Sequence, residues 1–247
     1  MTADNKNRRT LGGLVVLAIL TVVGLVVFTV YGARYVSMQH FRSKPFLRLM
    51  PQERIVGPAT LFPGTRFSAY GYVMQPPWVG VASRIETRSL SGLVFHSGQV
   101  FQVHNPALVI DWRSELTRPG NTFVMDKLMA AFGSACCDTN YAIVERILNS
   151  SPNQLRFLQP AKQSMAIGIL LTYKSAYVRA DTAEIMAFRC RQTKGFQLGS
   201  PARSKSVRLV IFPPDGSELW MDISSGTADL RQKEIDRIIA SIRTQSN

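Results

Sequence analysis

Cysteine and histidine are both scarce in this sequence, with three of each among 247 residues. Metal centres and nucleophilic sites rely heavily on these residue types, so few positions can supply either chemistry. The chain also lacks a phosphate-binding G-x-x-x-x-G-K-[ST] loop, a dinucleotide-binding G-x-G-x-x-G turn and a G-x-S-x-G nucleophile elbow. The sequence therefore predicts no cofactor and does not favour the commonest enzyme classes.

Acidic residues are few, since 16 Asp and Glu face 29 Lys and Arg, which gives a formal net charge of +13. Residues 1–50 alone carry seven of the bases and a single acid, Asp4. The other bases are scattered, whereas a nucleic-acid reader concentrates its bases and interleaves them with aromatics. Nucleic-acid binding is therefore not predicted. The one mild cluster comprises Arg189, Arg191, Lys194, Arg203, Lys205 and Arg208.

Charged residues are absent from Leu11–Tyr31. As a helix this segment would be about 31 Å long, which matches a bilayer hydrocarbon core of about 30 Å. It has no polar face at the helical repeat, unlike an amphipathic helix of a soluble protein. We predict a single transmembrane helix here, with the lipid bilayer as its partner and residues 1–10 as a basic tail. The basic flanks agree with this, because bases beside a span interact with anionic head groups.

Other N-terminal signals fit this segment less well. A cleaved signal peptide has a shorter apolar region and a small-x-small cleavage site, but the nearest candidate, after Ala33, places the bulky Tyr31 at the −3 position. A lipoprotein signal needs a cysteine just after the apolar run, and none is present. Arg8-Arg9 suggests a twin-arginine signal, but its flanks do not match. An uncleaved anchor is the favoured interpretation.

The charges around the span leave its direction open. Three bases precede it and four follow within residues 34–48, so the positive-inside rule is nearly balanced. A short cytoplasmic tail with a large outer domain is a common bacterial arrangement. We therefore predict a single-pass protein of the bacterial inner membrane with its domain outside the cytoplasm. A domain on the inner face, with its basic cluster on lipid, is the alternative.

The rest of the chain divides into a linker and a domain. Residues 32–60 are basic and contain Pro45, Pro51 and Pro58, which predicts an extended juxtamembrane linker. Residues 61–247 are numerous enough for one soluble domain with a sizeable core.

Turn residues between apolar runs predict strands joined in hairpins. Leu93–Phe95 and Val100–Val103 flank a turn containing Gly98. Val207–Phe212 and Glu218–Ile223 flank Pro-Pro-Asp-Gly, in which proline presets the turn and glycine supplies positive φ.

Apolar residues at helical spacing predict helices over residues 114–135, 138–149, 165–177 and 230–242. Strands thus come in hairpins, with a block of helices between them. This order predicts an α+β fold with a mainly antiparallel sheet packed with helices, preceded by one transmembrane helix.

The order of elements over residues 66–243 resembles the layout of Mog1/PsbP-like α/β/α sandwich domains. The resemblance implies a fold and carries no functional residue. Three short runs also resemble an uncharacterised bacterial envelope family, which implies no known activity. These runs are Gly71-Tyr72 with Pro77-Trp78, Phe95 with Ser97-Gly98, and Lys194–Gly199.

The few candidates for catalysis are His96, His104 and Cys137. On one flat strand the two histidines would lie about 26 Å apart, too far to share a metal, although a turn at Gly98 would bring them closer. Since no further ligand lies at suitable spacing, no metal site is predicted. Cys137 comes just before a predicted helix, where a thiol can be acidified. A membrane-anchored enzyme using His96, His104 or Cys137 is therefore one alternative.

The cysteines and tryptophans have two interpretations each. Cys136, Cys137 and Cys190 are either small buried residues or include one disulfide to Cys190. Trp78 and Trp112 are either core residues or exposed anchors of an interaction surface.

An anchor and a complete domain without a visible catalytic constellation predict a non-enzymatic binding domain of the envelope, with a protein or a lipid as its partner. The candidate binding surface comprises Trp78, Trp112, Arg189, Arg191 and Lys194.

Overall fold

The described residues form an α+β fold around a large, mostly antiparallel sheet, as the sequence predicts. The predicted membrane helix, Leu11–Tyr31, lies outside them. Within the described part of the chain, no helix combines the length and the apolar character needed to cross a bilayer. The computed structural model describes residues 32, 35–57, 63–156, 159–215, 217–226 and 229–245.

Eight strands form the main sheet in the order β1-β7-β8-β9-β10-β6-β5-β4, and β11-β3-β2 form a small second sheet. In the main sheet β1 runs parallel to β7, and the other described pairs are antiparallel. The predicted hairpins are confirmed as β5–β6 and β9–β10. The strands are β1 Gln52–Ile55, β2 Phe67–Ala69, β3 Tyr72–Met74, β4 Val81–Glu86, β5 Leu90–Phe95, β6 Gln99–His104, β7 Ile185–Cys190, β8 Thr193–Leu198, β9 Ser206–Phe212, β10 Leu219–Ser225 and β11 Arg243–Thr244.

The described helices follow the predicted block with one correction. The single helix predicted over residues 114–135 is wrong, because Pro119 and Gly120 (φ +98°) divide it into α2 and α3. The helices are α1 (residues 35–42), α2 Trp112–Thr117, α3 Thr122–Phe132, α4 Asn140–Leu148, α5 Ala161–Tyr177 and α6 Gln232–Ser241. Short 3-10 helices occupy Pro45–Arg48, Pro106–Leu108, Ser134–Cys137 and Pro152–Gln154.

Because side chains alternate along each strand, the main sheet has an apolar surface on both faces. Other elements pack on each face, so the domain has three layers. Leu209 and Met221 point to one face, where α6 and the small sheet pack against them. Val210 and Trp220, their neighbours along the strands, belong to the other face, which packs against α2–α5. A third cluster joins α1 and the first 3-10 helix to the outer side of α5.

The stretch predicted as an extended linker is largely folded. Residues 35–57 include α1, a 3-10 helix and β1, which pairs with β7 at the sheet edge. Leu47 within the 3-10 helix is fully buried. The prolines allow this because Pro45 starts the 3-10 helix and Pro51 precedes β1, where a missing N–H removes no hydrogen bond. The predicted extended conformation is therefore wrong for these residues.

A buried lysine joins this segment to the helical layer. Lys174 on α5 is fully buried, and its ammonium donates hydrogen bonds to the carbonyls of Leu49, Leu148 and Ser150 at 2.5, 2.7 and 2.6 Å. Burial lowers the pKa of Lys174 to about 7. The three carbonyls oppose that shift, because together they match the three donors of the charged form. Lys174 thus connects the chain before β1 with the end of α4.

Replacing this lysine should destabilise the domain. In Lys174→Met, three buried carbonyls lose their donor, and we expect the free energy of unfolding to fall by about 2–4 kcal/mol. Urea unfolding of the full chain, followed by tryptophan fluorescence, measures the change. Lys162→Met is the matched control, since Lys162 is exposed on the same helix and should change stability by less than about 0.5 kcal/mol. Equal effects in the two variants would show that the ammonium does not stabilise the fold.

Candidate binding site on the open half of the sheet

The helical layer covers only part of its face of the main sheet. Strands β7–β10 contribute side chains to the apolar cluster beneath α2–α5, whereas no described residue of β4, β5 or β6 belongs to that cluster. On this uncovered half, Gln102 and His104 of β6 are half-buried and share a face with Trp220 and Asp222 of β10. The open half is therefore a partly accessible surface on which these side chains lie beside the half-buried Val94 and Val100.

The strand register brings polar side chains together on this surface. Arg208 of β9 lies opposite Asp222 of β10, which lies opposite Gln102 of β6. Residues directly opposite each other in neighbouring strands share one face of the sheet, so the three form a row. His104 and Trp220 lie at the next row on this face. We call Gln102, His104, Arg208, Trp220 and Asp222 the sheet-face site.

Asp222 is the centre of the sheet-face site. Arg208 donates from Nε to Oδ1 at 2.8 Å and from Nη2 to Oδ2 at 2.9 Å, while His104 Nε2 lies 2.8 Å from Oδ2. Burial alone would raise the pKa of Asp222, but the bonds from His104 and Arg208 hold that pKa well below its usual range. Asp222 therefore stays anionic at physiological pH and fixes two side chains around it.

Aromatic contacts complete the arrangement. The Arg208 guanidinium lies 5.1 Å from the centroid of the Trp220 ring, and the His104 ring centroid is 6.3 Å from the same ring. A cation over an indole face is favourable, and an amphipathic ring at a partly open surface suits ligand contact. The site thus presents an aromatic surface beside fixed hydrogen-bonding groups.

A small cavity lies beside the row. It has a volume of about 150 Å³ and is bounded by Arg208 and Asp222 on the sheet and by residues 179–182 after α5. Arg179 forms an ion pair with Asp181 at 3.2 Å, so both pairs of charges around the cavity are balanced. A polar, nearly neutral group fits such an environment better than a strongly charged one. The remaining polar lining includes Gln102, Ser204, Ser206 and Ser224.

A buried hydrogen-bonded network supports the site from behind. Trp112 Nε1 donates to the Tyr177 hydroxyl at 2.8 Å, and that hydroxyl donates to Glu218 Oε1 at 2.6 Å. Trp220 Nε1 donates to the same carboxylate oxygen at 2.6 Å. The network links α2 and α5 to β10, so the position of Trp220 is fixed by buried groups.

Glu218 is the unusual member of this network. It is buried, and its Oε2 has no hydrogen-bond partner among the described residues. Burial raises the pKa of Glu218 to about 7, although the bonds from Tyr177 and Trp220 act in the opposite direction. A protonated carboxyl is therefore favoured below neutral pH.

The two tryptophans of the predicted binding surface are core residues, the other interpretation that the sequence left open. Trp78 packs against Phe95, with ring centroids 5.5 Å apart, on the face covered by α6. Trp112 is buried on the opposite face within the network that supports the site. The structure does not bring them together.

The three predicted basic residues lie together at the β7–β8 hairpin. Arg189 is paired with Lys194, and Arg191 is in the turn with a φ of 54°. Lys194 Nζ lies 3.8 Å from the ring centroid of Tyr141. Lys194 and Arg208 are at opposite ends of the β8–β9 pair, so this basic group is separate from the sheet-face site.

The structure separates the candidates for catalysis. His96 precedes β6 and His104 ends it, so the hairpin keeps them apart. Cys136, Cys137 and Cys190 are free and buried, and Cys190 is on the opposite side of the sheet from the other two. Burial and the neighbouring Cys136 thiol raise the pKa of Cys137 to about 12. Among the residues described, no group of three or more His, Cys, Asp or Glu could hold a metal ion.

No protein-family model, curated protein or solved structure matches this chain. The sheet-face site is therefore interpreted from its own geometry.

Sequence reasoning missed Arg208 and Asp222 as a functional pair. A signal was present, because each is a charged residue between two apolar neighbours in the predicted β9–β10 hairpin. Once the register of the hairpin is known, the alternation of side chains along the strands places Arg208 and Asp222 on the same face of the sheet.

The raised pKa of Glu218 predicts a specific pH dependence of stability. The folded state keeps a proton on Glu218 that the unfolded chain loses near its ordinary pKa of 4.5. The retained proton therefore adds to the free energy of unfolding. This stabilisation is fully present below about pH 4.5 and disappears as the pH rises through about 7. From pH 5 to pH 8, the wild-type chain should therefore lose about 1–3 kcal/mol of stability relative to Glu218→Gln, which stays neutral. Urea unfolding across this range tests the difference, with the exposed Glu86→Gln as control. Parallel curves for wild type and Glu218→Gln would contradict the prediction.

The buried thiols should be inert in the folded protein. Only the thiolate reacts as a nucleophile, and burial disfavours it in Cys137 and Cys190. We expect Ellman's reagent to label no thiol of the native full chain at pH 7 within minutes and all three after unfolding in urea. A fast native reaction that disappears in Cys137→Ser would contradict this and favour cysteine chemistry.

Proposed function

We propose that this chain is a single-pass membrane-anchored protein of the bacterial envelope whose domain binds a partner and does not catalyse a reaction. The apolar run Leu11–Tyr31 supports the anchor. The observation that carries the binding role is the sheet-face site, in which Asp222 holds Arg208 and His104 where the covered half of the sheet meets the open half.

Recognition fits this geometry better than catalysis does. The low pKa of Asp222 and its three hydrogen bonds make it a poor general base. Cys137 is buried, and its raised pKa disfavours the thiolate. The ion pair instead fixes donors and an aromatic ring in place, which lowers the entropy lost when a partner is bound.

The surroundings favour a polar and nearly neutral partner. The pairs Arg208–Asp222 and Arg179–Asp181 leave little net charge beside the cavity. Trp220 and His104 add ring surfaces suitable for contact with a protein backbone or an uncharged side chain. We therefore propose a segment of another envelope protein as the partner. The domain would act outside the cytoplasm.

A membrane-anchored enzyme is the second candidate. The 2.8 Å contact between His104 and Asp222 is the observation that favours it, since a carboxylate can orient a catalytic imidazole. His96 and Cys137 do not join this pair. In such an enzyme His104 would act as the base, with the nucleophile supplied by water or by the substrate.

Photo-crosslinking tests the binding role in cells of the source organism. A photoreactive residue at Ser224, which lines the cavity, should give a discrete adduct with a protein partner. The same residue at the exposed Lys233 on α6 should not, because that position lies in the opposite layer. Adding Gln102→Ala should weaken the Ser224 adduct several-fold while the circular dichroism spectrum stays unchanged.

Two results would contradict this function. Equal adducts from Ser224 and Lys233 would show that the sheet-face site is not selective. Turnover of any substrate by the full chain that is lost in a folded His104→Gln variant would favour the enzyme instead.

A further inference from the structure

Two long segments of the chain, one leading up to β1 and one containing α5, lack acidic residues. Neither residues 5–52 nor residues 146–180 contain an Asp or Glu, although both contain several bases. The described parts of these segments pack together, and Arg42 Nη2 donates to the Leu155 carbonyl at 3.4 Å. Their shared apolar cluster consists of Met38, Leu47, Leu155, Ile167 and Leu171. One side of the domain is therefore built from acid-free chain.

An apolar groove runs between α1 and α5 on this side. Its volume is about 480 Å³, and it is open at Gly168, where an added Cβ would meet no atom within 4 Å. Met165 on the groove wall is 48% exposed, and Tyr35 and Val36 on α1 are 56% and 67% exposed. An apolar groove with exposed apolar side chains on its wall is a candidate interaction surface. The apolar lining comprises Met38, Phe41, Leu155, Ala161, Met165, Gly168 and Ile169.

Bases occur at the groove and close to its walls in the chain. Arg156 lines the groove, and the exposed Lys162 follows the lining residue Ala161 on the first turn of α5. Lys44 comes two residues after the end of α1. An apolar strip with basic residues along its margins is the pattern of a surface that lies at the boundary between head groups and acyl chains.

The groove is also close to the predicted anchor. The continuous described part of α1 starts at residue 35, four residues after the end of the predicted span at Tyr31. A helix of eight residues is about 12 Å long, while the head-group layer adds about 5–8 Å on each side of the hydrocarbon core. The α1 side of the groove is therefore within reach of the bilayer surface.

We propose that the groove between α1 and α5 docks on the surface of an anionic phospholipid bilayer. Met165 and its apolar neighbours would enter the head-group boundary, while Lys44, Arg156 and Lys162 would face phosphate groups. This proposal rests on the anchor in the proposed function, and it adds a second, non-spanning contact with the membrane.

Charge favours lipid over a second copy of this chain. In a symmetric dimer through this groove, two acid-free basic surfaces would face each other and repel. An anionic bilayer supplies both the apolar phase and the opposite charge.

A fluorescent label in the groove tests the docking in the full chain. Met165→Cys can be labelled with bimane selectively, because the native cysteines are buried. The labelled chain is reconstituted into vesicles of phosphatidylcholine, with or without phosphatidylglycerol, that contain a lipid with a nitroxide on its head group. We expect several-fold stronger quenching with phosphatidylglycerol and its loss in high salt. A bimane at Lys233→Cys on α6 should not be quenched in either vesicle.

The bases provide a quantitative check. Each base near an anionic surface strengthens binding about fivefold. The triple variant Lys44→Gln, Arg156→Gln, Lys162→Gln should therefore lower the ratio of docked to undocked chain about 100-fold.

Flotation of the vesicles distinguishes a failure of groove docking from a failure of the proposed anchor. A chain that fails to float with the vesicles overturns both. A chain that floats while the label at residue 165 stays unquenched overturns groove docking and leaves the anchor intact. Quenching that is equal in the two vesicle types, or label shielding that depends on protein concentration and not on lipid, also overturns it.

Discussion

The pairing of β9 with β10 determines which side chains reach each layer of the domain. With Arg208 opposite Asp222, Leu209, Met221 and Ile223 point to the α6 face and the charged pair points to the other. A one-residue slip of either strand would turn its charge to the α6 face, away from its partner, and turn its apolar residues to the other face. Because unpaired buried charges are strongly unfavourable, the same constraint specifies the register and assembles the sheet-face site.

This register also explains where the helical layer ends. Val210 and Phe212 provide apolar surface for the helices, whereas Asp222 and Gln102 do not. The Trp112–Tyr177–Glu218 network forms at the boundary between the covered and open halves. The end of the helical layer near β10 is thus a consequence of the polar side chains that β6 and β10 place on this face, and the network joins the covering helices to the sheet beside it.

Local signals predict much of the fold and little of the site. The hairpin of β9 and β10 and the helices α5 and α6 could be recognised because the turn residues and the apolar periodicity that determine them are local in the chain. The break at Pro119-Gly120 carried an equally local signal that the apolar pattern around it obscured. The resemblance to Mog1/PsbP-like domains and the span at Leu11–Tyr31 stay predictions.

Long-range pairing accounts for what the sequence did not reveal. β1 joins the sheet through β7, which is more than a hundred residues away in the chain, so prolines nearby suggested a linker. The burial of Trp78 and Trp112 likewise depends on partners such as Glu234 and Tyr177 far along the chain. The sheet-face site combines residues from three strands, and no spacing within a single segment indicates it.

The route of the chain from α1 to β1 also has a mechanical consequence. The parallel ladder between β1 and β7 and the bond from Lys174 to the Leu49 carbonyl fix this segment along the sheet edge. A pull applied to the chain at α1 would load several hydrogen bonds of the ladder together, in shear.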